Sequence, residues 1–161
     1  MNSLFLLEAK TTLTFPELAS GTRVVDRRVF QQGMNYSGPV DYEETEALGM
    51  KYIKFTAVIG GYRSQLVFYD YDPASRPEDE GDVSDSQPVR VSCNCPRYKI
   101  LFKRANKLAD AQIGHLVGEI DARDYGYPKR EVNTENIPGA CQHLIALYQH
   151  LVNTQRVWEE L

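Results

Sequence analysis

The chain has 161 residues and a formal net charge of −4. This length suits one ordinary domain that can bury most of its apolar surface unaided, and the acidic balance argues against a generic nucleic-acid coat, which needs clustered cations. No apolar run is long enough to cross a bilayer, and residues 1–7 lack the positive start of a signal peptide, so we expect one cytosolic domain over residues 1–161 that is neither secreted nor bound to a membrane.

Residues 1–50 carry weak structural signals and are interpreted as an N-terminal arm with strands. Residues 4–20 fit a docking strand or arm, and residues 23–30 fit a strand. Residues 33–50 are rich in Gly, Pro, Asn and acidic side chains, which indicates a loop with one helical turn around residues 43–48.

Residues 51–92 contain the clearest local structure, a β-hairpin. Two alternating runs, 52–59 and 62–69, are joined by Gly60-Gly61, a pair that suits the left-handed dihedrals of a type I′ turn. This turn fixes the register, with Ile53 opposite Phe68 and Phe55 opposite Leu66. One face of the hairpin is therefore apolar and is expected to cover the core.

The hairpin is followed by an acidic loop and a short strand. Residues 70–88 hold seven acidic residues, three prolines and three serines, which predicts a solvated loop. Residues 89–92 predict a strand running into Cys93, and Pro96 is expected to end it.

Residues 93–161 form the last predicted module. Residues 97–112 fit a helix in part, and residues 113–140 indicate a long irregular loop of the kind that often carries function. An amphipathic helix follows and is expected to reach residues 157–158. Its apolar stripe is Leu144, Leu147, Tyr148, Leu151 and Val152.

The three cysteines and one of the three histidines fall into two pairs, Cys93-Asn94-Cys95 and Cys141-Gln142-His143. Residues i and i+2 point to the same side of an extended segment, so Cys93 and Cys95 can grip one ion. In the middle of a helix, residues i and i+2 point in different directions. Cys141 and His143 can therefore converge only at the start of a helix, where a thiolate is also stabilised. Together they form a tetrahedral Cys₃His zinc set with a structural role, since no position is left for water. The alternative is three buried cysteines without metal.

This CxC and CxH pattern resembles the SWIM-type zinc finger. The resemblance implies that Cys93, Cys95, Cys141 and His143 bind structural Zn²⁺ between a strand end and a helix start. Here the gap between the pairs is longer than is usual for that family. Two stretches of the sequence also resemble small virion proteins of tailed bacteriophages. They are Val-Ser-Cys-Asn-Cys-Pro-Arg-Tyr and Ile-Pro-Gly-Ala-Cys-Gln-His-Leu.

A basic-aromatic segment, residues 97–107, is a second candidate site. Cations interleaved with aromatic rings can bind single-stranded nucleic acid through phosphates and base stacking. A solvated helix face, or pairing with the acidic loop or with an acidic partner, would explain the same pattern. The candidate contact residues are Arg97, Tyr98, Lys99, Lys103, Arg104 and Lys107.

We therefore expect an α+β fold, in which a C-terminal helix packs on a hairpin-centred antiparallel sheet and a zinc ion joins the strand end to the helix start. No nucleophile, carboxylate pair or phosphate-binding loop indicates an enzyme. Ten tyrosines, many near loops, favour docking onto other proteins. The favoured interpretation is an assembly component of a tailed-phage particle, located in the virion or the host cytoplasm. The alternative is a SWIM-like nucleic-acid adaptor.

Overall fold

The structure is a computed structural model that describes residues 13–28, 35–47, 50–69, 83–113, 133 and 135–158. It has an α+β fold, with a four-stranded antiparallel sheet of order β1-β2-β3-β5 and a small parallel pair, β4-β6. The elements are α1 (Phe15–Val25), β1 (Asp41–Ala47), β2 (Met50–Ile59), β3 (Tyr62–Tyr69), β4 (Val83–Ser84), β5 (Val89–Cys93), α2 (Pro96–Leu101), α3 (Lys103–Leu108), α4 (Gln142–Asn153) and β6 (Val157–Trp158).

The β2-β3 hairpin forms at the centre of the sheet with the predicted register. Ile53 pairs with Phe68, and Phe55 pairs with Leu66. The turn residues Gly60 and Gly61 have φ values of 60° and 85°, the left-handed region that a type I′ turn requires at both positions. The apolar face is buried as expected, because all four paired side chains lie in the core.

The N-terminal prediction of a strand or arm is wrong for residues 15–25, which form helix α1. Thr14 caps this helix by accepting the backbone N–H of Glu17, while the Glu17 carboxylate accepts the backbone N–H of Thr14. This capping box was present in the sequence as Thr-x-x-Glu, and Phe15 and Leu18 supply the buried face. A local helix start therefore prevails over the scattered β-branched residues.

The predicted loop and helical turn at residues 33–50 are also wrong in part, because residues 41–47 form strand β1. This strand pairs antiparallel with β2, from Asp41 opposite Thr56 onwards. Its acidic side chains Glu43, Glu44 and Glu46 are exposed, and an edge strand tolerates such residues because one side of its ladder meets solvent. Pairing to the hairpin thus prevails over the weak strand propensity of the acidic residues.

The end of the acidic loop and the end of the chain pair with each other. Val83 and Ser84 form β4, which runs parallel to β6, and Val83 is buried. The prediction that helix α4 reaches residues 157–158 is wrong, because the helix ends at Asn153. Gln155 then turns the chain with a φ of 62°. The prediction of a solvated loop over residues 70–88 therefore fails for residues 83–84, and residues 70–82 lie outside the described part of the chain.

The single helix expected over residues 97–112 is two short helices, α2 and α3, which meet at Phe102. Phe102 is fully buried, whereas Leu108 is 52% exposed. The chain after α3 turns back to the sheet edge, where Gln112 bridges to Val91. Residues 135–141 are irregular, as predicted for the long loop, while residues 114–132 and 134 lie outside the described ranges.

Helix α4 packs on the core face of the sheet, as predicted from its apolar stripe. Leu144, Leu147 and Leu151 are fully buried, and the ring of Tyr148 stacks on Phe15 of α1 with centroids 4.2 Å apart. Among the described helices, none combines the length and apolar character that a bilayer crossing requires. The packing of α1 and α4 brings the two ligand pairs to one end of the sheet.

Candidate metal centre

The four predicted ligands, Cys93, Cys95, Cys141 and His143, meet in the structure. Their sulfur and nitrogen atoms all lie within 4.8 Å of one another, and all four side chains are buried. Nδ1 of His143 is 3.8 Å from Sγ of Cys93 and 3.8 Å from Sγ of Cys141. Ligands of a tetrahedral zinc ion, with bonds of about 2.0–2.3 Å, lie about 3.5–3.8 Å apart. The donor set and its spacing therefore fit a metal ion of this kind.

The first ligand pair is held by the sheet. Cys93 is the last residue of β5 and pairs with Ser64, whose hydroxyl lies 3.6 Å from the Cys93 sulfur. The turn between the two cysteines is anchored by Arg63, whose backbone N–H donates to Oδ1 of Asn94 at 2.8 Å. Cys95 then caps α2, its sulfur accepting the backbone N–H of Tyr98 at 3.3 Å. Both sulfurs thus have hydrogen-bond partners that orient them.

The second ligand pair lies at the entry to α4, where the sequence argument required it. Cys141 is the N-cap residue with an extended backbone, and His143 lies in the first helical turn. This change from extended to helical backbone lets residues two apart converge, which a regular helix would prevent. The helix N-terminus also stabilises negative charge on the Cys141 sulfur.

The hairpin turn covers the imidazole of His143. A Cβ built on Gly60 would lie 3.3 Å from Nε2 of His143, so the turn backbone is in close contact with the ring. The Tyr62 ring lies 5.1 Å from the imidazole centroid. His143 is consequently only 5% exposed, and the site is shielded from solvent on this side.

Without a metal, the four groups share protons unequally. Hydrogen bonds from Cys141 and Cys95 hold the pKa of the Cys93 thiol well below its usual range. Burial raises the pKa of the Cys141 thiol, and the neighbouring sulfurs raise it further. Hydrogen bonds to Cys93 and Cys95 raise the pKa of His143 to about 9. Together these shifts favour a Cys93 thiolate, a protonated Cys141 thiol and an imidazolium at His143 in the metal-free site.

We expect metal binding to release protons and to strengthen as the pH rises. Ligation needs a neutral imidazole and three thiolates, so a metal must displace at least the protons of His143 and Cys141. Each displaced proton contributes about tenfold per pH unit below its pKa, so zinc affinity should rise by at least roughly a hundredfold per unit between about pH 6 and pH 8. Competition with a chelator of known affinity measures this slope, and an affinity independent of pH would contradict the assignment of ligands.

The basic-aromatic segment does not form the surface expected from its sequence. Tyr98 and Phe102 are fully buried, and Lys107 is 6% exposed, so their side chains are packed inside the fold. Arg97 forms an ion pair with Asp26 at 2.9 Å. Lys99 is exposed, while Lys103 and Arg104 are half-buried. Tyr98 and Lys107 are therefore corrected as contact residues, because the short helices turn them toward the core.

Sequence reasoning missed two buried polar residues that hold the backbone next to the second ligand pair, Thr22 and Asn106. Both are fully buried, and both hydrogen-bond to the backbone just before Cys141. Thr22 is 118 residues from its partner Ala140, so no local pattern could have revealed the contact. The packing of α1 against the segment before α4 creates this arrangement.

The two histidines outside the ligand pairs are His115 and His150. His150 is half-buried near the end of α4, with its ring 5.4 Å from that of Tyr36. His115 lies outside the described residues. In the part of the chain that the structure describes, Cys93, Cys95, Cys141 and His143 form the one group of this kind able to hold a metal ion. Comparisons of the chain with protein-family models, with curated proteins and with solved structures find no match.

Proposed function

We propose that the protein binds one structural Zn²⁺ and serves as a non-enzymatic interaction component. The observation that carries this proposal is the closed, buried Cys₃His set. Three soft thiolates and an imidazole are a donor set that suits zinc, and four protein ligands occupy every position of a tetrahedral ion. Such a site stabilises a fold and leaves no coordination position for a reacting water.

The placement of the ligands supports a SWIM-type finger. Its CxC pair stands at a strand end and its CxH pair opens a helix, and Cys93 and Cys141 occupy those two positions here. The chain departs from the family in the long connection between the pairs, which begins with α2 and α3. We assign the difference to an insertion that leaves the metal ligands in place.

The partners that we propose are other proteins of a tailed-phage particle, which would place the chain in the virion or the host cytoplasm. The similarity of the two cysteine motifs to small virion proteins supports this assignment. An exposed sheet edge also supports it, because β1 has β2 on one side only within the described sheet. Tyr42 on that strand is 48% exposed, as tyrosines at interfaces are before docking.

The alternative, a nucleic-acid adaptor, has less support in the structure. Base stacking needs exposed rings, and Tyr98 and Phe102 are fully buried. Lys99, Lys103 and Arg104 could still contact the phosphates of a nucleic acid. Binding of nucleic acid through these contacts would weaken steeply as the salt concentration rises.

One pair of measurements tests the function. We expect the chain to be found in purified phage particles, and a Lys99/Lys103/Arg104→Ala variant to be incorporated equally well. The same variant serves as the control in single-stranded DNA binding. Salt-sensitive DNA binding that disappears in the variant, together with absence from the particles, would contradict the assembly role.

A further inference from the structure

The segment that leads into Cys141, residues 137–140, belongs to no helix or strand, yet side chains from elsewhere hold its backbone. The first of these is Asn133. Its Nδ2 donates to the carbonyl of Ile137 at 2.9 Å, and the backbone N–H of Ile137 donates to its Oδ1 at 3.0 Å. Nδ2 also donates to the carbonyl of Leu101 at 2.8 Å, which ties the segment to the end of α2.

Asn106 of α3 repeats this arrangement at Gly139. The Asn106 amide donates to the Gly139 carbonyl at 2.8 Å and accepts the Gly139 backbone N–H at 2.9 Å. The same amide donates to the buried hydroxyl of Tyr98 at 3.0 Å. Since Asn106 is fully buried, water does not compete for these bonds.

Thr22 of α1 holds the next residue, Ala140. Its hydroxyl oxygen accepts the Ala140 backbone N–H at 2.8 Å. The hydroxyl also lies 2.9 Å from the Ala140 carbonyl and 3.1 Å from the Leu18 carbonyl, and its single proton is shared between them. Ile137, Gly139 and Ala140 thus each form hydrogen bonds to a side chain through both the backbone N–H and the backbone carbonyl.

The segment is also confined sterically. A Cβ on Gly139 would meet the Phe102 ring at 2.4 Å, and a Cβ on Gly21 would meet the Pro138 carbonyl oxygen at 2.0 Å. Helix α1 and the Phe102 ring are therefore both in close contact with the segment. These contacts leave the backbone before Cys141 little freedom to move.

We propose that Thr22, Asn106 and Asn133 are positioning residues for the metal, fixing the backbone before Cys141 so that the second ligand pair is in place before the ion binds. The proposal rests on the metal-binding function proposed above. The first pair is fixed by the sheet, but the second follows an irregular segment, whose ordering would otherwise weaken metal binding. Loss of groups that orient metal ligands typically lowers metal affinity about 10- to 100-fold.

The test is the zinc affinity of the full chain, measured by equilibrium competition with a chromogenic chelator. Thr22→Val keeps the shape of the side chain and removes its hydroxyl, so Ala140 loses both bonds. We expect a zinc affinity about 10- to 100-fold lower than that of the wild type. Thr22→Ser keeps the hydroxyl and is expected to bind zinc with nearly the wild-type affinity.

A packing control separates positioning from general destabilisation. Val83→Ala opens a cavity in the β4-β6 region, where Val83 is buried. It should lower stability without weakening zinc binding. In the metal-free protein, hydrogen exchange at the Ala140 amide should accelerate in Thr22→Val and stay unchanged in Val83→Ala. If Thr22→Val does not fold, Asn133→Ala, at a half-buried position, is expected to lower zinc affinity about tenfold.

The outcomes separate the two proposals. Zinc bound by the wild type and, with equal affinity, by Thr22→Val and Val83→Ala would overturn the positioning role and leave the metal site standing. Unchanged exchange at the Ala140 amide would overturn it as well. A folded wild type that binds no zinc would overturn the proposed function itself.

Discussion

Replacing Cys141 by serine is expected to release the zinc and lower the melting temperature by about 10 °C. A ligand that binds only the folded state adds about 4 kcal/mol when its free concentration is a thousand times its Kd. In a domain of this size, each kcal/mol moves the melting temperature by about 2–4 °C. Because Cys141 caps α4, the helix entry should lose protection in hydrogen exchange as well. Thermal unfolding and metal analysis of the variant measure both effects.

Chelation of the wild type provides the matched control for this substitution. A strong chelator should lower the melting temperature of the wild type toward that of Cys141→Ser and leave the variant unchanged. Zinc content and melting temperature that both match the wild type in Cys141→Ser would show that the cluster is only a group of buried thiols.

The substitution Gly21→Ala is expected to cost roughly 2 kcal/mol, although Gly21 lies inside helix α1. Helix propensity alone predicts a gain of about 1 kcal/mol for alanine over glycine. The added Cβ, however, would lie 2.0 Å from the Pro138 carbonyl oxygen, a backbone atom that cannot rotate away. Overpacking against a fixed neighbour costs about 1–3 kcal/mol, occasionally more. Urea unfolding measures the change.

The exposed neighbour Ser20 supplies the control for this substitution. Ser20→Ala also raises helix propensity in α1 but meets open solvent, so its stability should change by less than about 0.5 kcal/mol. A Gly21→Ala protein as stable as the wild type would mean that α1 does not press on the segment before Cys141.

The sequence predicted the hairpin and the convergence of side chains within each ligand pair because both depend on short-range geometry. The Gly60-Gly61 turn alone sets the pairing of Ile53 with Phe68, and strand alternation does the rest. Likewise, the convergence of Cys141 with His143 depends only on the change from extended to helical backbone at one residue. Where a feature is decided within a few residues, the physical rule can be applied without knowing the remainder of the fold.

Features decided by distant contacts could not be predicted in this way. Strand β4 forms because Val83 pairs with Val157 of β6. The same pairing explains why the chain leaves the helical conformation after Asn153. The burial of Tyr98 follows from its bonds to Asn106 and Gln112, which no local pattern specifies. Helix α1 is different, because the capping box of Thr14 and Glu17 is a local signal in the sequence that the strand-or-arm prediction did not use.

The metal content of the purified wild-type protein tests the central claim most directly. Elemental analysis should find one zinc ion per folded chain. Replacement by Co²⁺ should give the absorption of a tetrahedral site with thiolate ligands, which disappears in Cys93→Ser and Cys141→Ser. A folded wild-type protein that contains no zinc, and that takes up neither Zn²⁺ nor Co²⁺ under reducing conditions, would contradict the account.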